Sequence, residues 1–300
     1  MQPNFFMVGA PKCGTTALSE YLRTHPNIYM STPKELFYFA DDFPGYQEAK
    51  TESEYLAKFF SDVLPQHQAV GEASALYLYS SVALTNLYRF EPNAKIIVML
   101  RNPVEVVYSY HSQLLYDGDE NEPDFERAWR LQDSRKKGKN ISSFCREPRL
   151  LQYAEFGKLG QQVERLLDIF PEGNIHIIWF EEFTNSTSSV YEKVLNFLEV
   201  PLDNRTEFAR VNANKIHQSS LLGKVTQKPP KFLVNAAMKT KEIIGLSEWG
   251  VLDAIRSFNS KPTKRKALSP DFKAELIDEF ATDIQKLSAL LDRDLSHWLN

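Results

Sequence analysis

Cysteine is scarce in this chain, which has only Cys13 and Cys145 among 300 residues. Two cysteines so far apart form neither a disulfide framework nor a zinc-ligand spacing, so we predict a reducing, cytoplasmic location. Long apolar runs are also missing, and no stretch approaches the about 20 consecutive apolar residues that span a bilayer. The short apolar run at residues 5–8 has no basic region before it, as a secretory signal would have. We therefore expect no transmembrane segment and no signal peptide.

An excess of one charge is lacking as well, because 35 basic residues face 39 acidic ones and the formal net charge is −4. This near balance argues against a general binder of nucleic acid or of anionic membranes, and we predict no nucleic-acid partner. One mixed basic and apolar segment, residues 228–246, leaves open a peripheral contact with a membrane or lipid acceptor. A helix that covers the substrate is the ordinary alternative for this segment. Nothing in the sequence indicates an oligomeric state.

The chain does contain enough apolar material for a core, 43% of 300 residues, which suits one large domain or two small ones. No repeat, low-complexity tract or obvious linker divides it, so we predict a single domain over residues 1–300. Residues 117–147 are polar and rich in charge, and we expect a surface excursion there. A second variable excursion is expected at about 205–260, and the two are predicted to shape a substrate site.

Apolar runs that alternate with amphipathic stretches predict an α/β fold in which a mostly parallel sheet is flanked by helices. The clearest strand is residues 94–100, an unbroken apolar run typical of a strand buried on both faces. Asn102, Pro103 and Glu105 follow it as the N-cap, first-turn proline and capping-box acid of a helix. Ser269 is the predicted cap of the last helix. Strands are predicted at residues 4–10, 27–31, 68–74, 94–100 and 174–180, and helices at 16–25, 52–63, 81–90, 103–116, 158–170, 189–200 and 269–291.

The sequence GAPKCGTT, which begins at Gly9, nearly matches a phosphate-binding loop, in which G-x-x-x-x-G is followed by lysine and then serine or threonine. Gly9 and Gly14 have the right spacing. However, Thr15 stands at the lysine position, and Lys12 lies inside the loop. A glycine turn before a helix surrounds an anion with backbone N–H groups, and Thr15 or Thr16 is the predicted helix cap.

Two features of a nucleoside triphosphate site are missing from this pattern. In ATP- or GTP-handling loops a lysine beside the helix reaches the β- and γ-phosphates, and an acid on a second strand helps to hold Mg²⁺. Here the best second strand ends at Arg101. The pattern therefore suits a shorter anion and requires no metal, with Lys12 directed at a bridging or leaving oxygen. A P-loop kinase with an unusual loop and a purely structural strand–turn–helix are the alternatives.

The motif PKCGTTAL after a strand, with RNPVEVVYSYH later in the chain, resembles the sulfotransferases that use 3′-phosphoadenosine 5′-phosphosulfate (PAPS). The order GTTALSEYLRTHP, PKELFYF, GEAS and RNPVEVVYSY is most similar to the bacterial and heparan-sulfate-type branch of that family, and ATDIQKLSALLDRDLSHWLN is similar to the usual ending of bacterial members. The resemblance implies a P-loop-like three-layer sandwich, with PAPS as co-substrate, adenosine 3′,5′-bisphosphate as product and no metal.

The resemblance also implies which residues bind the donor. Lys12 would lie at the leaving oxygen, and the loop that contains it would hold the 5′-phosphosulfate. Arg101, a planar fork of N–H donors, and Ser109 on the next helix would bind the 3′-phosphate. The segment KPTKRK resembles loosely a basic loop that closes over the nucleotide. The donor-binding set is Lys12, Cys13, Gly14, Thr15, Thr16, Arg101, Ser109, Lys264 and Arg265.

The general base implied by the resemblance is Glu35 in KELFYF, with Glu72 in GEAS as the second candidate. A solvated loop acid is the alternative for Glu35, and a structural acid is the alternative for Glu72. His111 is a third candidate by its chemistry, although its place on an apolar helix face favours a packed or surface histidine. Two positions depart from the family: Ala73 stands where relatives often have a basic residue, and Leu159 where they often have tyrosine.

The predicted reaction is transfer of a sulfuryl group to a hydroxyl, or an amine, of a small-molecule or glycan acceptor. The heparan-type similarity favours a carbohydrate acceptor, and a hydroxyl of a lipid or secondary metabolite is the alternative. A kinase-like phosphotransferase is a rival enzyme class. The non-enzymatic alternative is a nucleotide-binding or scaffold protein that keeps the PAPS cradle but does not transfer sulfate.

Overall fold

A central sheet of five parallel strands in the order β2-β3-β1-β4-β5 forms the core of the computed structural model. The strands are β1 (Phe5–Gly9), β2 (Ile28–Met30), β3 (Ala69–Ala73), β4 (Lys95–Leu100) and β5 (Ile175–Trp179). Every residue of β1 and β3 is buried, and so is all of β4 except its first residue. Strands buried in this way need continuous apolar sequence, which explains why β4 is the clearest strand in the sequence.

Helices alternate with the strands along the chain. Their bounds are α1 (Thr15–Arg23), α2 (Glu52–Phe59), α3 (Ala83–Phe90), α4 (Pro103–Asp117), α5 (Phe125–Arg130), α6 (Gln132–Lys136), α7 (Tyr153–Phe156), α8 (Leu159–Ile169), α9 (Phe180–Asn185), α10 (Thr187–Phe197) and α11 (Pro270–Leu290). Short 3₁₀ turns lie at Pro148–Leu151, Glu172–Asn174 and Ser296–Leu299. The predicted α/β class with a parallel sheet between helices is therefore confirmed.

The structure describes residues 2–209, 215–217, 260–262 and 265–300. By contacts the chain divides into two compact units. The first, residues 1–109, 152–211 and 269–300, contains the five-stranded sheet. The second, residues 110–151 and 212–268, contains α5, α6 and the antiparallel pair β6 (Lys215–His217) and β7 (Ser260–Pro262). The single-domain organisation over residues 1–300 stays a prediction.

The strand order places β1 in the centre of the sheet, with β3 on one side and β4 on the other. The chain passes from β1 to β2 and β3 and then crosses to β4 and β5, so the strand order reverses at β1. In open parallel sheets, ligands bind at such a reversal, beyond the carboxyl ends of the strands. The carboxyl ends of β1, β3 and β4 and the segments that follow them lie there, and they include the glycine loop, the GEAS motif at the end of β3, and Arg101.

Two predicted helix caps are present in the structure, and two details of the prediction were wrong. Asn102 accepts a hydrogen bond from the Val104 N–H at 2.9 Å, and Ser269 caps α11. The cap residue of α1, however, is Gly14 in a left-handed conformation, so Thr15 and Thr16 lie inside the helix. The expected capping-box acid Glu105 pairs instead with Arg101, at 3.0 Å.

The segment 117–147 contains more structure than its polar sequence indicated. It forms α5 and α6, and Arg135 and Glu120 make a fully buried ion pair at 2.7 Å. Most of the second predicted excursion, and the whole basic and apolar segment 228–246, lie outside the described residues. Within the part of the chain that the structure describes, no helix is long and apolar enough to cross a membrane.

Candidate active site

The loop Ala10–Gly14 connects the central strand β1 to α1, and it is held close to its neighbours. The Ala10 N–H donates to the Met99 carbonyl oxygen of β4 at 2.7 Å. A Cβ at Gly9 would lie 2.7 Å from Leu78 Cβ, so no larger residue fits there without movement. Gly14 has φ +94°, a left-handed conformation that side chains disfavour. The two glycines that define the motif are therefore required by packing at one end and by backbone conformation at the other.

The first turn of α1 follows directly on the loop, and its N-cap residue Gly14 provides no side-chain cap. The first backbone N–H groups of a helix have no partner within the helix, and the helix dipole places a partial positive charge at them. Such a turn binds phosphate-like anions through its backbone. The local geometry therefore agrees with the loop's predicted role as an anion cradle.

Arg101 lies at the end of β4 and reaches this loop. Its Nη1 donates to the carbonyl oxygen of Lys12 at 3.4 Å, and its Nη2 pairs with Glu105. Its guanidinium also stacks on the Phe180 ring, 4.4 Å from the ring centroid. Stacking and the ion pair orient the planar fork beside the loop, which is the arrangement that recognition of a phosphate group needs.

Glu35 lies beside the same loop, although it belongs to the segment after β2. Its backbone N–H donates to the Ala73 carbonyl oxygen, and its Oε2 accepts from the Ala75 N–H, both at 2.9 Å. The Lys34 ammonium contacts Glu35 Oε1 and also lies 3.4 Å from the Thr15 hydroxyl of α1. Lys34 thus links the predicted base to the predicted donor loop, and both side chains are partly shielded from water.

Both predicted catalytic residues of the two loops have left-handed backbone conformations, with φ 66° at Lys12 and 65° at Glu35. Non-glycine residues adopt this region rarely, and each such residue costs on the order of 1–3 kcal/mol unless its surroundings hold it. Outliers of this kind cluster at functional sites. Five other non-glycine residues that the structure describes share a positive φ, so the conformation agrees with the assignment of both residues to the site but does not single them out.

Glu72, the second predicted base, is completely buried on β3. Its carboxylate accepts hydrogen bonds from the hydroxyls of Tyr55 and Ser74, both at 2.5 Å, and of Tyr77 at 2.8 Å. Burial raises the pKa of Glu72 to about 7, although the three hydroxyl donors favour its charged form. A carboxylate so enclosed differs from Glu35, whose side chain is 34% exposed. The geometry therefore favours Glu35 as the group that an acceptor can reach.

Four further residues of the predicted donor-binding set are Ser109, Cys13, Lys264 and Arg265. Ser109 is buried on α4, and Cys13 is buried in the loop, where burial raises the pKa of its thiol to about 12. Any contact of Cys13 with a ligand would therefore come from its backbone. Lys264 lies outside the described residues, and Arg265 belongs to the second unit, so their roles stay predictions.

His111, the third candidate base, also belongs to the second unit. Its ring is buried, its Nε2 lies 2.9 Å from the Glu122 carbonyl oxygen, and it packs on Phe125. Burial lowers the pKa of this imidazole. These contacts favour the alternative of a packed histidine.

Sequence reasoning missed Lys34, Phe180 and the tyrosines around Glu72. The signal for Lys34 was present, because it directly precedes Glu35 in the quoted KELFYF motif. Phe180 is the last residue of the predicted strand 174–180 and directly follows β5 in the structure, but nothing local indicated that it would face Arg101. Tyr55 lies on α2, a separate element 17 residues before Glu72, so its contact with Glu72 depends on the tertiary fold.

The arrangement combines a backbone anion cradle with two cationic side chains, Lys34 and Arg101, in contact with the cradle's residues. An anion of phosphate size with further negative groups fits this set of donors. Glu35 adds a carboxylate at the edge of the cradle, and this carboxylate can accept a proton from a second substrate. The residues present are thus suited to hold a phosphorylated donor and to deprotonate a second substrate.

Comparison with known proteins agrees with this chemistry. The model of the family described as "Sulfotransferase domain" matches residues 2–289. The membrane-associated sulfotransferase kil1 of Dictyostelium discoideum is 33% identical over 130 residues, which are 42% of this chain and 26% of the relative. A bifunctional heparan sulfate N-deacetylase/N-sulfotransferase of Drosophila melanogaster is 26% identical over 229 residues, 71% of this chain and 21% of the relative. The matched part is thus about a quarter of these relatives' length or less.

Among solved structures, a sulfotransferase from Alicyclobacillus acidocaldarius superposes with a TM-score of 0.72 and 28% identity, and the match covers 100% of both chains. The similarity therefore extends over the parallel sheet and the loops at its carboxyl ends. Because the family model covers nearly the whole chain and the solved relative shares its architecture, this protein belongs to the sulfotransferase domain family.

Proposed function

We propose that this protein transfers the sulfuryl group of PAPS to a hydroxyl, or an amine, of an acceptor, and that the acceptor is a carbohydrate. The observation that carries the proposal is the contact of Lys34 with both Glu35 and Thr15, because it puts a carboxylate beside the anion cradle. Membership of the sulfotransferase family supports the reaction type. We further propose that residues 1–300 act as one catalytic domain, since the family model spans 2–289.

The donor would be held by the loop between β1 and α1. The backbone N–H groups of Gly14, Thr15 and Thr16 would bind the 5′-phosphosulfate, and Lys12 would neutralise charge on the leaving oxygen. Arg101, with Ser109, would bind the 3′-phosphate, which a guanidinium fork suits better than a point charge. PAPS supplies the sulfuryl group and departs as adenosine 3′,5′-bisphosphate.

Glu35 would take the proton of the acceptor hydroxyl. Its Oε2 is anchored by the Ala75 N–H, and Oε1 is directed towards the Lys34 ammonium, so the carboxylate has a defined orientation. A well-placed base contributes about 10²–10⁴-fold to a reaction of this kind. Orientation of the two substrates by the loops would supply much of the remaining acceleration.

The carbohydrate assignment rests on the similarity to the Drosophila relative, whose name specifies heparan sulfate. A lipid or secondary-metabolite hydroxyl is the alternative acceptor, and the experiment separates the two. Purified protein is incubated with ³⁵S-labelled PAPS and, in parallel, desulfated heparan oligosaccharides, lipid extracts and small phenols and alcohols. Label transferred to the oligosaccharides supports the proposal, and label in the lipid or small-molecule fractions alone would replace the acceptor class.

The Lys12→Ala variant is the control for the reaction itself. Loss of the cation at the leaving oxygen should lower kcat by orders of magnitude, since charge that develops there is stabilised only in the transition state. Unchanged turnover of the variant would remove Lys12 from this role. Binding of adenosine 3′,5′-bisphosphate by the wild type without transfer to any acceptor would favour the scaffold alternative, and Mg²⁺-dependent ATP turnover would favour a kinase.

A further inference from the structure

A buried hydrogen-bonded cluster lies directly behind the segment that carries Glu35. It consists of the Glu72 carboxylate and the three hydroxyls that donate to it, from Tyr55, Ser74 and Tyr77. Glu72 and Ser74 have no measurable exposure, and Tyr55 and Tyr77 are equally buried. Hydrogen bonds to the charged form of this carboxyl, which predominates above its raised pKa of about 7, are strong in such an enclosed place and hold their partners in fixed orientations.

Two of the three hydroxyls also contact the backbone of the Glu35 segment. The Phe37 N–H donates to Ser74 Oγ at 3.1 Å, and the Phe39 N–H donates to the Tyr77 hydroxyl at 3.4 Å. A hydroxyl has one proton to donate and two lone pairs that accept. Because Ser74 and Tyr77 give their protons to Glu72, their lone pairs are turned towards the two N–H groups. The carboxylate thereby sets the direction of both contacts.

The segment needs such support because of its backbone conformation. Glu35 has φ 65° and Phe37 has φ 53°, and left-handed residues of this kind are costly in the absence of contacts that hold them. The Glu35 N–H donates to the Ala73 carbonyl oxygen, which lies between Glu72 and Ser74 in the chain. Residues 72–75 therefore hold the Glu35 segment from β3 by backbone and side chain together.

We infer that Glu72 is a positioning residue, which fixes the Glu35 carboxylate through Ser74 and Tyr77, and that it is not itself the base. We call the hydrogen bonds that run from Glu72 through Ser74 and Tyr77 to the Phe37 and Phe39 N–H groups the relay. The role in catalysis rests on the proposed function, whereas the existence of the relay does not. The hydrogen bonds of Glu72 reach the segment through the hydroxyls of Ser74 and Tyr77, which accept from the backbone N–H groups of Phe37 and Phe39. We therefore expect its effect on the orientation of Glu35 to pass through that backbone. The Tyr55 hydroxyl donates to the same carboxylate from α2 and provides an internal control.

The test compares the double variant Ser74→Ala/Tyr77→Phe with the matched variant Tyr55→Phe. Both remove hydroxyl donors from Glu72, but only the double variant removes the acceptors of the Phe37 and Phe39 N–H groups. Amide hydrogen exchange should accelerate at Phe37 and Phe39 in the double variant and stay near the wild-type rate in Tyr55→Phe. Glu72→Leu should resemble the double variant, since it removes Oε1, the oxygen to which both Ser74 and Tyr77 donate.

The kinetic arm measures kcat together with the affinity for adenosine 3′,5′-bisphosphate. The double variant should lose on the order of 10- to 100-fold in kcat, because a small displacement of a base is costly, while Kd for the nucleotide changes by less than about twofold. Tyr55→Phe should keep kcat within about twofold of the wild type. Equal losses in Tyr55→Phe and the double variant would overturn the relay, as would unchanged exchange at Phe37 and Phe39.

The failure of this inference is distinguishable from failure of the proposed function. If the wild type transfers no sulfate to any acceptor, the proposed function fails, and amide exchange alone still decides whether the relay exists. If Glu72→Leu does not fold, the comparison of the other two variants remains, since each keeps the carboxylate. Turnover by the wild type together with normal kcat in the double variant would leave the reaction standing and refute the positioning role.

Discussion

Single residues place charge at the candidate site, and the Lys34 ammonium is one of the cationic groups there. Its ammonium contacts the Thr15 hydroxyl and the Glu35 carboxylate, so it joins two segments that are distant in the chain. Arg101, which follows β4, likewise joins two segments, because its guanidinium contacts the Lys12 carbonyl oxygen of the loop after β1. The two cations differ in kind, because lysine is a compact point charge and arginine a planar fork.

Replacement of the Lys34 ammonium should weaken donor binding. In Lys34→Met the stem remains and the charge is lost, so we expect the Kd for PAPS to rise roughly 10- to 100-fold, the range for a hydrogen bond to a charged group. Isothermal titration at low and high salt measures the change. Lys34→Arg, which keeps the charge, should recover part of the affinity. Equal Kd values for Lys34→Met and the wild type would show that Lys34 serves Glu35 alone.

Loss of the Glu35 charge should affect catalysis far more than binding. Glu35→Gln keeps the shape of the side chain but removes its ability to take a proton, so kcat should fall by about 10²–10⁴-fold. The Kd for adenosine 3′,5′-bisphosphate should stay within about twofold. Single-turnover kinetics and titration of the same preparation provide both numbers. Full activity in Glu35→Gln would move the base to another residue.

Whole elements are held in place by contacts that their own sequence does not contain, and α8 is the clearest example. Its cap residue, Lys158, makes no side-chain cap. Instead, Asp283 of α11 accepts from the Gly160 N–H at 2.7 Å and the Gln161 N–H at 3.0 Å. A Cβ at Gly160 would lie 2.4 Å from the Asp283 carbonyl oxygen, so the close approach of the two helices also requires a glycine.

Removal of this interhelical cap should destabilise the fold. Asp283→Ala leaves the first turn of α8 without its acceptor, and loss of a cap costs about 0.5–2 kcal/mol in the free energy of unfolding. Urea denaturation followed by far-UV circular dichroism measures it. Asp278→Ala, on the exposed face of the same helix, is the matched control and should change little. Equal stability of the two variants would show that Asp283 does not act as a cap.

At the scale of the whole molecule, one buried carboxyl couples stability to pH. Burial raises the pKa of Glu72 from 4.5 to about 7, so the folded protein holds a proton there that the unfolded chain has released between these values. Stability falls with rising pH wherever the folded state binds more protons. The contribution of Glu72 is therefore lost as pH rises from about 4.5 to about 7 and is constant outside that window.

This coupling predicts how the wild type compares with Glu72→Gln, which has no proton to lose. The free energy of unfolding of the wild type relative to the variant should decrease between pH 5 and pH 7.5, roughly the interval set by the two pKa values. Denaturation of both proteins at a series of pH values provides the difference. A difference that stays flat across this range would show that Glu72 is charged throughout.

The sequence alone determined the class of the fold and the main parts of the candidate site. Unbroken apolar runs and amphipathic stretches specify buried strands and helices, because the periodicity of each is local. Gly9 and Gly14, with Arg101 at a strand end, indicated an anion site for the same reason: a turn and a helix start are made by neighbours in the chain. Glu35 was named by resemblance of its motif, and its role stays a prediction.

Only the tertiary structure decided which distant residues meet. The position of β1 between β3 and β4 brings Arg101 and the Lys12 carbonyl oxygen together, although they are 89 positions apart. Asp283 caps a helix 123 positions away, and Tyr55 closes on Glu72 from α2. Such contacts depend on strand order and packing, which no local pattern encodes. The sequence therefore specified the pieces of the site, and burial of the sheet between its helices determined their distances.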